Sequence, residues 1–344
     1  NTVGNPNITW ETNSNFNMGF EFELLKRRIT GSVEYFHRKT TDMLCFVNVP
    51  FSGGYSGSYD NVGDMVNQGV EFDLHFNPIR TKDINWMINL NATHYKNKVT
   101  KLHPDKKGSE LEGNYGYVSD PYFIGEGLPL HTFRLKKYAG VNEEGQSMWY
   151  VRDAQTGELS TTTTNTSASY FNCGSADPTL YGGLSTTLSL YGFDLSVTMN
   201  YSLGGKAMDY GYQALMGNPS SGNTGFSLHK DMLKAWSETN TGSQIPRFQY
   251  AVKDNDTSCN GTSDRFLTNA STLTLQNINI GYTLPKQLIA KLGLTNVRIY
   301  ASGENLCYLS KRKGFDPRSS FWGSSSESSY AQVRTFTGGI TVQF

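Results

Sequence analysis

The side chains of this chain that could do chemistry do not gather into a catalytic centre. The six histidines, His37, His75, His94, His103, His131 and His229, show no HExxH spacing, so no zinc-hydrolase helix is encoded. Gly54-Tyr55-Ser56-Gly57 brackets a serine with glycines, but the second glycine comes one residue too early for a nucleophile elbow, and the segment reads as a surface-loop turn. Cys45, Cys173, Cys259 and Cys307 lack CxxC spacing; a Cys173–Cys259 disulfide stays open in an oxidising compartment. No catalytic residue, metal site or cofactor is expected, and the chain does not read as an enzyme.

Recognition chemistry is better represented. Glu71, Asp73 and His75 follow one another at period two and share one strand face. They suit either an acidic stripe for a ligand or plain polar lining. Tyr115, Tyr117 and Tyr122 in one loop, and Phe321-Trp322 in another, offer flat faces of the kind that stack on sugar rings; loop packing or contact with a partner protein would use the same residues. Lys311, Arg312, Lys313 and Arg318 make the last long loop basic, by default a solvated rim.

The elements that must carry these residues are strands. Met18, Phe20, Phe22 and Leu24 alternate with polar neighbours. So do Val33 and Tyr35; Val70, Phe72, Leu74 and Phe76; Ile88, Leu90 and Ala92; and Phe193, Leu195, Val197, Met199 and Tyr201. The final stretch does the same: Phe336, Ile340, Val342 and Phe344 share a face with Gly338, opposite Thr337, Thr341 and Gln343. An apolar strand ending on an aromatic fits the last strand of an outer-membrane barrel, with Phe344 in the periplasmic aromatic girdle. Alternation marks about eleven strands, near 15–26, 28–46, 63–78, 84–98, 131–141, 147–153, 179–190, 193–206, 269–284, 296–309 and 331–344. Alternation is poorest in 131–141 and 147–153. A phase slip between Leu275 and Ile278 predicts a β-bulge.

Connections sort by length. Short ones fall near Lys26-Arg27, Pro78–Asp83, Asn142–Gln146 and Tyr191-Gly192, with a compact piece at 285–295 that has helical spacing after Pro285. Long ones cover about 47–62, 99–130, 154–178, 207–268 and 310–330, the longest with room for helical turns over Ala207–Trp236. Strand parity puts all short connections on the side of Phe344, as periplasmic turns are in a membrane barrel. Phe193 and Tyr201, like Phe336 and Phe344, stand eight residues apart, roughly 20 Å of rise for tilted strands, enough to mark both edges of an apolar band about 25 Å tall. Trp86 marks the lower rim of its strand.

Composition agrees. Lysine plus arginine equal aspartate plus glutamate at 30 each, which argues against a nucleic-acid-binding surface. No apolar run is long enough for a transmembrane helix, but a barrel, whose signal alternates, needs none. The opening Asn1-Thr2-Val3-Gly4 carries no initiator Met and no signal-peptide pattern, so the chain is expected to be a piece of a longer precursor. Eleven is an odd number, and an open sheet leaves unpaired edges in lipid, so further strands are expected upstream.

Several phrases resemble one family. Asn5-Pro6-Asn7-Ile8-Thr9-Trp10-Glu11, Glu34-Tyr35-Phe36-His37-Arg38-Lys39-Thr40-Thr41-Asp42-Met43-Leu44, and Asn61-Val62-Gly63-Asp64-Met65-Val66-Asn67-Gln68-Gly69-Val70-Glu71 occur in order. Leu275-Gln276-Asn277-Ile278-Asn279-Ile280-Gly281-Tyr282-Thr283-Leu284-Pro285, Gly303-Glu304-Asn305-Leu306 and Gly314-Phe315-Asp316-Pro317 follow. Together they resemble the SusC/RagA-type TonB-dependent outer-membrane transporters of Bacteroidetes, over essentially the whole chain. The resemblance implies a transmembrane antiparallel β-barrel, with residues 1–344 as the C-terminal half of a 22-stranded wall and the plug and TonB-contacting segment upstream. It implies import of oligosaccharides or peptides across the outer membrane. The partners would be a SusD-like surface lipoprotein as lid, the N-terminal half of the same barrel with its plug, and TonB through the upstream part. Glu71, Asp73 and His75 would face the lumen. A passive outer-membrane channel, a soluble surface β-sandwich that binds carbohydrate, and a membrane-embedded hydrolase are the competing readings.

Overall fold

Period-two segments become strands here, and the turns between them use residues that accept left-handed backbone. At Tyr191-Gly192 both φ values are positive, 46° and 89°, the two-residue hairpin geometry that right-twisted strands favour, and Leu190 pairs directly with Phe193. A computed structural model of the chain describes residues 4–48, 54, 56–218, 225, 227–248, 260–320, 322–323 and 332–344.

The strands in chain order are β1 (Thr12–Leu24), β2 (Ile29–Asn48), β3 (Gly57–Arg80), β4 (Ile84–Leu102), β5 (Ser109–Leu111), β6 (Asn114–Ser119), β7 (Tyr122–Gly125), β8 (Thr132–Lys136), β9 (Tyr138–Val141), β10 (Ser147–Arg152), β11 (Leu159–Thr162), β12 (Tyr170–Ser175), β13 (Pro178–Leu190), β14 (Phe193–Gly204), β15 (Lys206–Met208), β16 (Leu267–Asn269), β17 (Thr272–Thr283), β18 (Asn296–Ser310) and β19 (Thr335–Gln343). Two short helices, α1 (Tyr210–Leu215) and α2 (Lys286–Ile289), lie in the connections, the second where helical spacing after Pro285 predicted it. Nine strands form one antiparallel sheet in the order β1-β2-β3-β4-β13-β14-β17-β18-β19, and the rest pair among themselves in smaller sheets.

The expected strand count needs correcting. Segments 131–141 and 147–153 do not join the wall; they become β8, β9 and β10 of a cap built from the long connections. Their broken alternation is the reason. β8 is buried or half-buried on both faces, as a strand inside a packed cap must be. The Asn142 side chain accepts hydrogen bonds from Glu144 N (3.1 Å) and Gln146 N (2.7 Å), turning the chain back so that β9 pairs with β10. Six residues of β10, roughly 15 Å of tilted rise, are also too few for an apolar band of about 25 Å. Losing two strands preserves parity. The short connections 25–28, 81–83, 191–192 and 284–295 still share one side, and 49–56, 103–177, 205–271 and 311–334 share the other.

Register makes the wall two-faced. Phe22, Gly31, Leu74, Leu90, Leu184, Met199, Leu275 and Cys307 form one continuous row across eight strands. The neighbouring row on the opposite face reads Glu21, Ser32, Asp73, Asn91, Gly183, Asn200, Thr274 and Tyr308. The predicted phase slip is a bulge: Thr198 pairs with Asn277 and Met199 with Leu275, leaving Gln276 as the extra residue, whose amide Nε2 donates to Asn305 Oδ1 (3.0 Å).

Burial is inverted relative to a water-soluble sandwich. The fully buried side chains Phe133, Phe266, Met208 and Met216 belong to one cluster in the cap. On the wall, by contrast, Phe20 is 67% exposed, Phe336 75% and Ile340 67%. A sandwich would pack that face against a second sheet, and among the described residues none covers it. No helix among the described residues is long and apolar enough to cross a membrane, which says nothing of strands.

The cap is fastened to the top of β4. Asn97 Oδ1 accepts from Leu130 N (2.7 Å) while its Nδ2 donates to Asn67 Oδ1 (2.8 Å); Val99 exchanges backbone bonds with Leu128 (2.9 Å) and Gly127 (2.8 Å). Asn97→Ala orphans the Leu130 N–H at a cost of about 1–3 kcal/mol. Hydrogen exchange of the full-length protein is therefore expected to speed up at 127–131 and stay unchanged in β13 and β14. At Gly182, an added Cβ would meet Asn91 O and the Tyr201 hydroxyl, which itself donates to Asn91 O (2.8 Å). Gly182→Val is expected to lower stability by roughly 1–3 kcal/mol, read as a shift in urea midpoint; an unchanged midpoint would refute this packing.

Candidate ligand-binding site

The cap does not sit beside the wall; it folds over its polar face and leaves an open-sided cavity of about 810 Å³ between them. The period-two pattern selects the residues of β2, β3 and β4 that reach it, while near the top of β13 and β14 Gly182, Gly183 and Tyr201 line it from both parities. β2 contributes Phe36 and Arg38, β3 Asn67 and Glu71, β4 Asn91, Tyr95 and Asn97, β13 Tyr181, and β14 Asn200 and Ser202. The roof is Leu130, His131, Asp177 and Trp322, with Pro178 at the start of β13 beside them. β2, β3 and β4, at 20, 24 and 19 residues, outrun the 12 residues of β14, and their upper ends support the roof.

Aromatic surfaces and carboxamides dominate. Tyr95 and Tyr181 meet edge to face at 6.0 Å, and the Arg38 guanidinium lies 5.0 Å from the centre of the Phe36 ring. In the roof the His131 ring packs 4.7 Å from Trp322, and its Nδ1 stands 3.5 Å from Asp177 Oδ1. One cation, Arg38, faces two carboxylates, Glu71 and Asp177, with four asparagines between them. Such a lining donates and accepts hydrogen bonds from neutral groups and offers flat apolar faces. It suits ligands rich in hydroxyls or amides, not a strongly charged one.

The structure gathers some of the expected residues here and disperses others. Trp322 is 55% exposed and lines the cavity. Tyr122 stands behind it: its hydroxyl donates to the Trp322 carbonyl, its ring packs 5.1 Å from Phe133, and burial pushes its phenol up to about 12. Tyr115 and Tyr117 sit on β6 and do not line the cavity; Lys106 Nζ lies 5.6 Å above the Tyr117 ring. Phe321 lies outside the described residues, as do Tyr55 and Cys259, so neither the Gly54–Gly57 turn nor the Cys173–Cys259 pairing can be described. Burial and then Asp264 raise the Cys173 thiol to about 11. Glu71 reaches the cavity. Asp73 and His75 share its face but bind each other, His75 Nε2 to Asp73 Oδ1 at 2.8 Å. Phe336, Ile340 and Val342 are exposed on the apolar face of β19, and Phe344 is exposed beyond it.

Tyr95, Tyr181, His131, Asp177 and Arg38 are site residues that sequence reasoning missed. Tyr181 carried a signal, a large aromatic in phase with Gly183 and Ser185, on the polar face of its strand. The cap residues His131 and Asp177 carried none. Arg312 and Arg318, expected on a solvated rim, are ties instead. Arg312 Nη1 reaches Asp209 Oδ2 (3.3 Å), and Arg318 grips Asp316 through Nε (2.8 Å) and Nη2 (2.6 Å). Among the described residues no three His, Cys, Asp or Glu side chains converge to hold a metal ion.

Comparison with known proteins bears on the same features. The family model described as TonB dependent receptor-like, beta-barrel matches residues 1–176. TonB-dependent receptor P3 of Formosa agariphila is 28% identical, over 99% of this chain and 35% of the relative. TonB-dependent receptor SusC of Bacteroides thetaiotaomicron is 26% identical, over 99% of this chain and 32% of its own length. Among solved structures, the RagAB peptide transporter superposes with a TM-score of 0.84 at 27% identity, over 99% of this chain and 36% of that one. The chain thus spans about a third of the length of the relatives it matches. It belongs to the TonB-dependent receptor-like β-barrel family and forms part of an outer-membrane barrel wall.

Proposed function

We propose that this chain is the wall and cap portion of an energised importer that takes up oligosaccharides or peptides across the outer membrane. The observation that carries the reading is the cavity of about 810 Å³ between cap and polar face, lined by aromatics and asparagines. Its volume and its lining, in which aromatics and carboxamides outnumber the three charged groups, suit a short oligosaccharide or peptide. The names of similar proteins, SusC and the RagAB peptide transporter, support import as the activity.

The same geometry supports an orientation. In it the short connections face the periplasm and the cap faces outside, with Glu71, Asp73 and His75 toward the lumen. β1 and β19 are the two edges of the described sheet, and a sheet in lipid must pair both. Residues 1–344 then act as the C-terminal portion of a wall that other strands of the same protein close around a plug. Energy would come from TonB through that other part. A SusD-like surface lipoprotein would cover the cap, with exposed Tyr115 suited to that contact and Trp322 to the ligand.

The test is uptake by the full-length transporter in cells with and without a working TonB system, supplied with labelled oligosaccharides or peptides. Uptake is expected to need TonB, and equal uptake without it would establish a passive channel instead. Trp322→Ala and Tyr181→Ala are each expected to weaken ligand binding about tenfold in calorimetry, as the loss of a buried aromatic contact does. Wild-type affinity in both would remove the cavity from the transport route.

A further inference from the structure

The apolar face of the wall changes character at its upper edge. Along β4 the residues on that face run Trp86, Ile88, Leu90, Ala92, His94, Lys96 and Lys98. Ten residues separate Trp86 from Lys96, roughly 25 Å for tilted strands, the height of a lipid-facing band. Neighbouring strands change at the same level. Register continues the belt row Met18–Tyr35–Val70–His94 into Phe16–His37–Gln68–Lys96 and then Ser14–Lys39–Val66–Lys98. The side that greets lipid below thus carries three lysines and two histidines directly above, and no carboxylate stands in these rows.

Lys39, Lys96 and Lys98 are exposed, and none has an ion pair among the described residues. Lys39 and Lys98 flank Val66 from the two adjacent strands, so their backbones are about 10 Å apart, and Lys96 is two residues from Lys98. Three like charges at that spacing repel, and an anion between them relieves the cost. The ground above is concave. A recess of about 580 Å³ opens over Lys96 and Lys98, walled by Val66, Gln68, Tyr95 and Asn97 and overhung by Pro129 of the cap and Pro178 at the start of β13. His94 at its base is fixed, its Nδ1 donating to Thr179 O (2.5 Å). The carboxylate lining the recess, Asp177, stands 3.5 Å from His131 Nδ1.

We propose that this recess binds the phosphorylated sugar headgroup of a glycolipid of the outer leaflet. The three ammonium groups hold the phosphate, the overhanging cap covers the sugar, and the acyl chains run down the apolar face between Ala92 and Leu74. Continuity with the lipid-facing belt selects this occupant over a soluble anion, because the patch begins where the hydrocarbon band ends. The inference rests on the membrane orientation proposed above; the recess meets the ligand cavity at Tyr95, Asn97, Asp177 and Pro178, but Lys39, Lys96 and Lys98 do not line that cavity.

Native mass spectrometry of the full-length, detergent-purified transporter tests it, with a phosphorylated lipid A and its dephosphorylated counterpart as probes. The phosphorylated lipid is expected to stay bound, and the combined variant Lys39→Gln, Lys96→Gln, Lys98→Gln to hold it roughly a hundredfold more weakly, while Lys→Arg at all three positions keeps it. Substrate uptake is expected to be unchanged in the glutamine variant, so loss of lipid with intact uptake isolates this site. Heat-modifiable migration in cold detergent gels reports its folding; if the combined variant does not fold, Lys98→Gln alone is expected to weaken binding about fivefold. Equal retention of the dephosphorylated lipid, wild-type retention by the glutamine variants, or displacement of the lipid by millimolar inorganic phosphate would each overturn the proposal.

Discussion

Every other feature of this chain depends on one constraint: a peptide group inside hydrocarbon must hydrogen-bond to another peptide group. In an antiparallel wall the neighbouring strand is the partner, so the register between strands decides everything on both faces. A slip of one residue would send Glu21, Asp73 and Asn91 into lipid and draw Phe22, Leu74 and Leu90 inward. The apolar row that crosses eight strands unbroken shows how tightly register is held. Where it shifts, as at Gln276, it does so through a bulge whose side chain finds its own partner in Asn305.

That constraint divides the chain between two solvents. The wall keeps its large apolar side chains on the outside, so it contributes little to a conventional core. The cap stands in water and must build one, from Phe133, Leu135, Met208, Met216 and Phe266. These residues come from the connections 103–177 and 205–271, so the core joins two loops that enter the wall at different strands. The last long connection is pinned to it by Met208 N donating to Gly323 O (2.7 Å) and by the Tyr122 hydroxyl bound to the Trp322 carbonyl. Trp322 is held over the cavity from behind by contacts that belong to the cap's own packing.

Much of the wall was legible in the sequence because a face in lipid imposes period two, interrupted only locally by bulges such as that at Gln276. Phe193 to Tyr201 and Phe336 to Phe344 could be read as strands with their outward residues named. The parity of the turns survived even though two of the expected strands are not in the wall. The cap was not legible, for a physical reason. β8 is buried on both faces, so its residues do not alternate, and its pairing partner β12 lies some thirty-five residues along the chain (Tyr170 opposite Lys136). No local pattern announces such a pairing. For the same reason the sequence left Tyr122 open between ligand stacking and loop packing, and packing is what the structure shows, while Tyr181, in phase with Gly183 and Ser185, could have been assigned to the cavity from parity alone.

Parity also explains how three strands can serve several tasks. Along β2, β3 and β4, odd and even residues face different surroundings, and each strand outruns the lipid band. Arg38, Asn67 and Tyr95 therefore look into the cavity, while Lys39, Val66 and Lys96, one residue away, look outward above the belt. Neighbouring positions in the sequence are separated by the thickness of a sheet, and a substitution on one face leaves the backbone hydrogen bonds that define the other in place. The coupling between the faces runs through the joint at Asn97 and Leu130, where the roof of the cavity and the overhang of the outer recess are the same stretch of cap, with Leu130 lining one and Pro129 the other. A movement of that stretch that opens the cavity must also alter the recess.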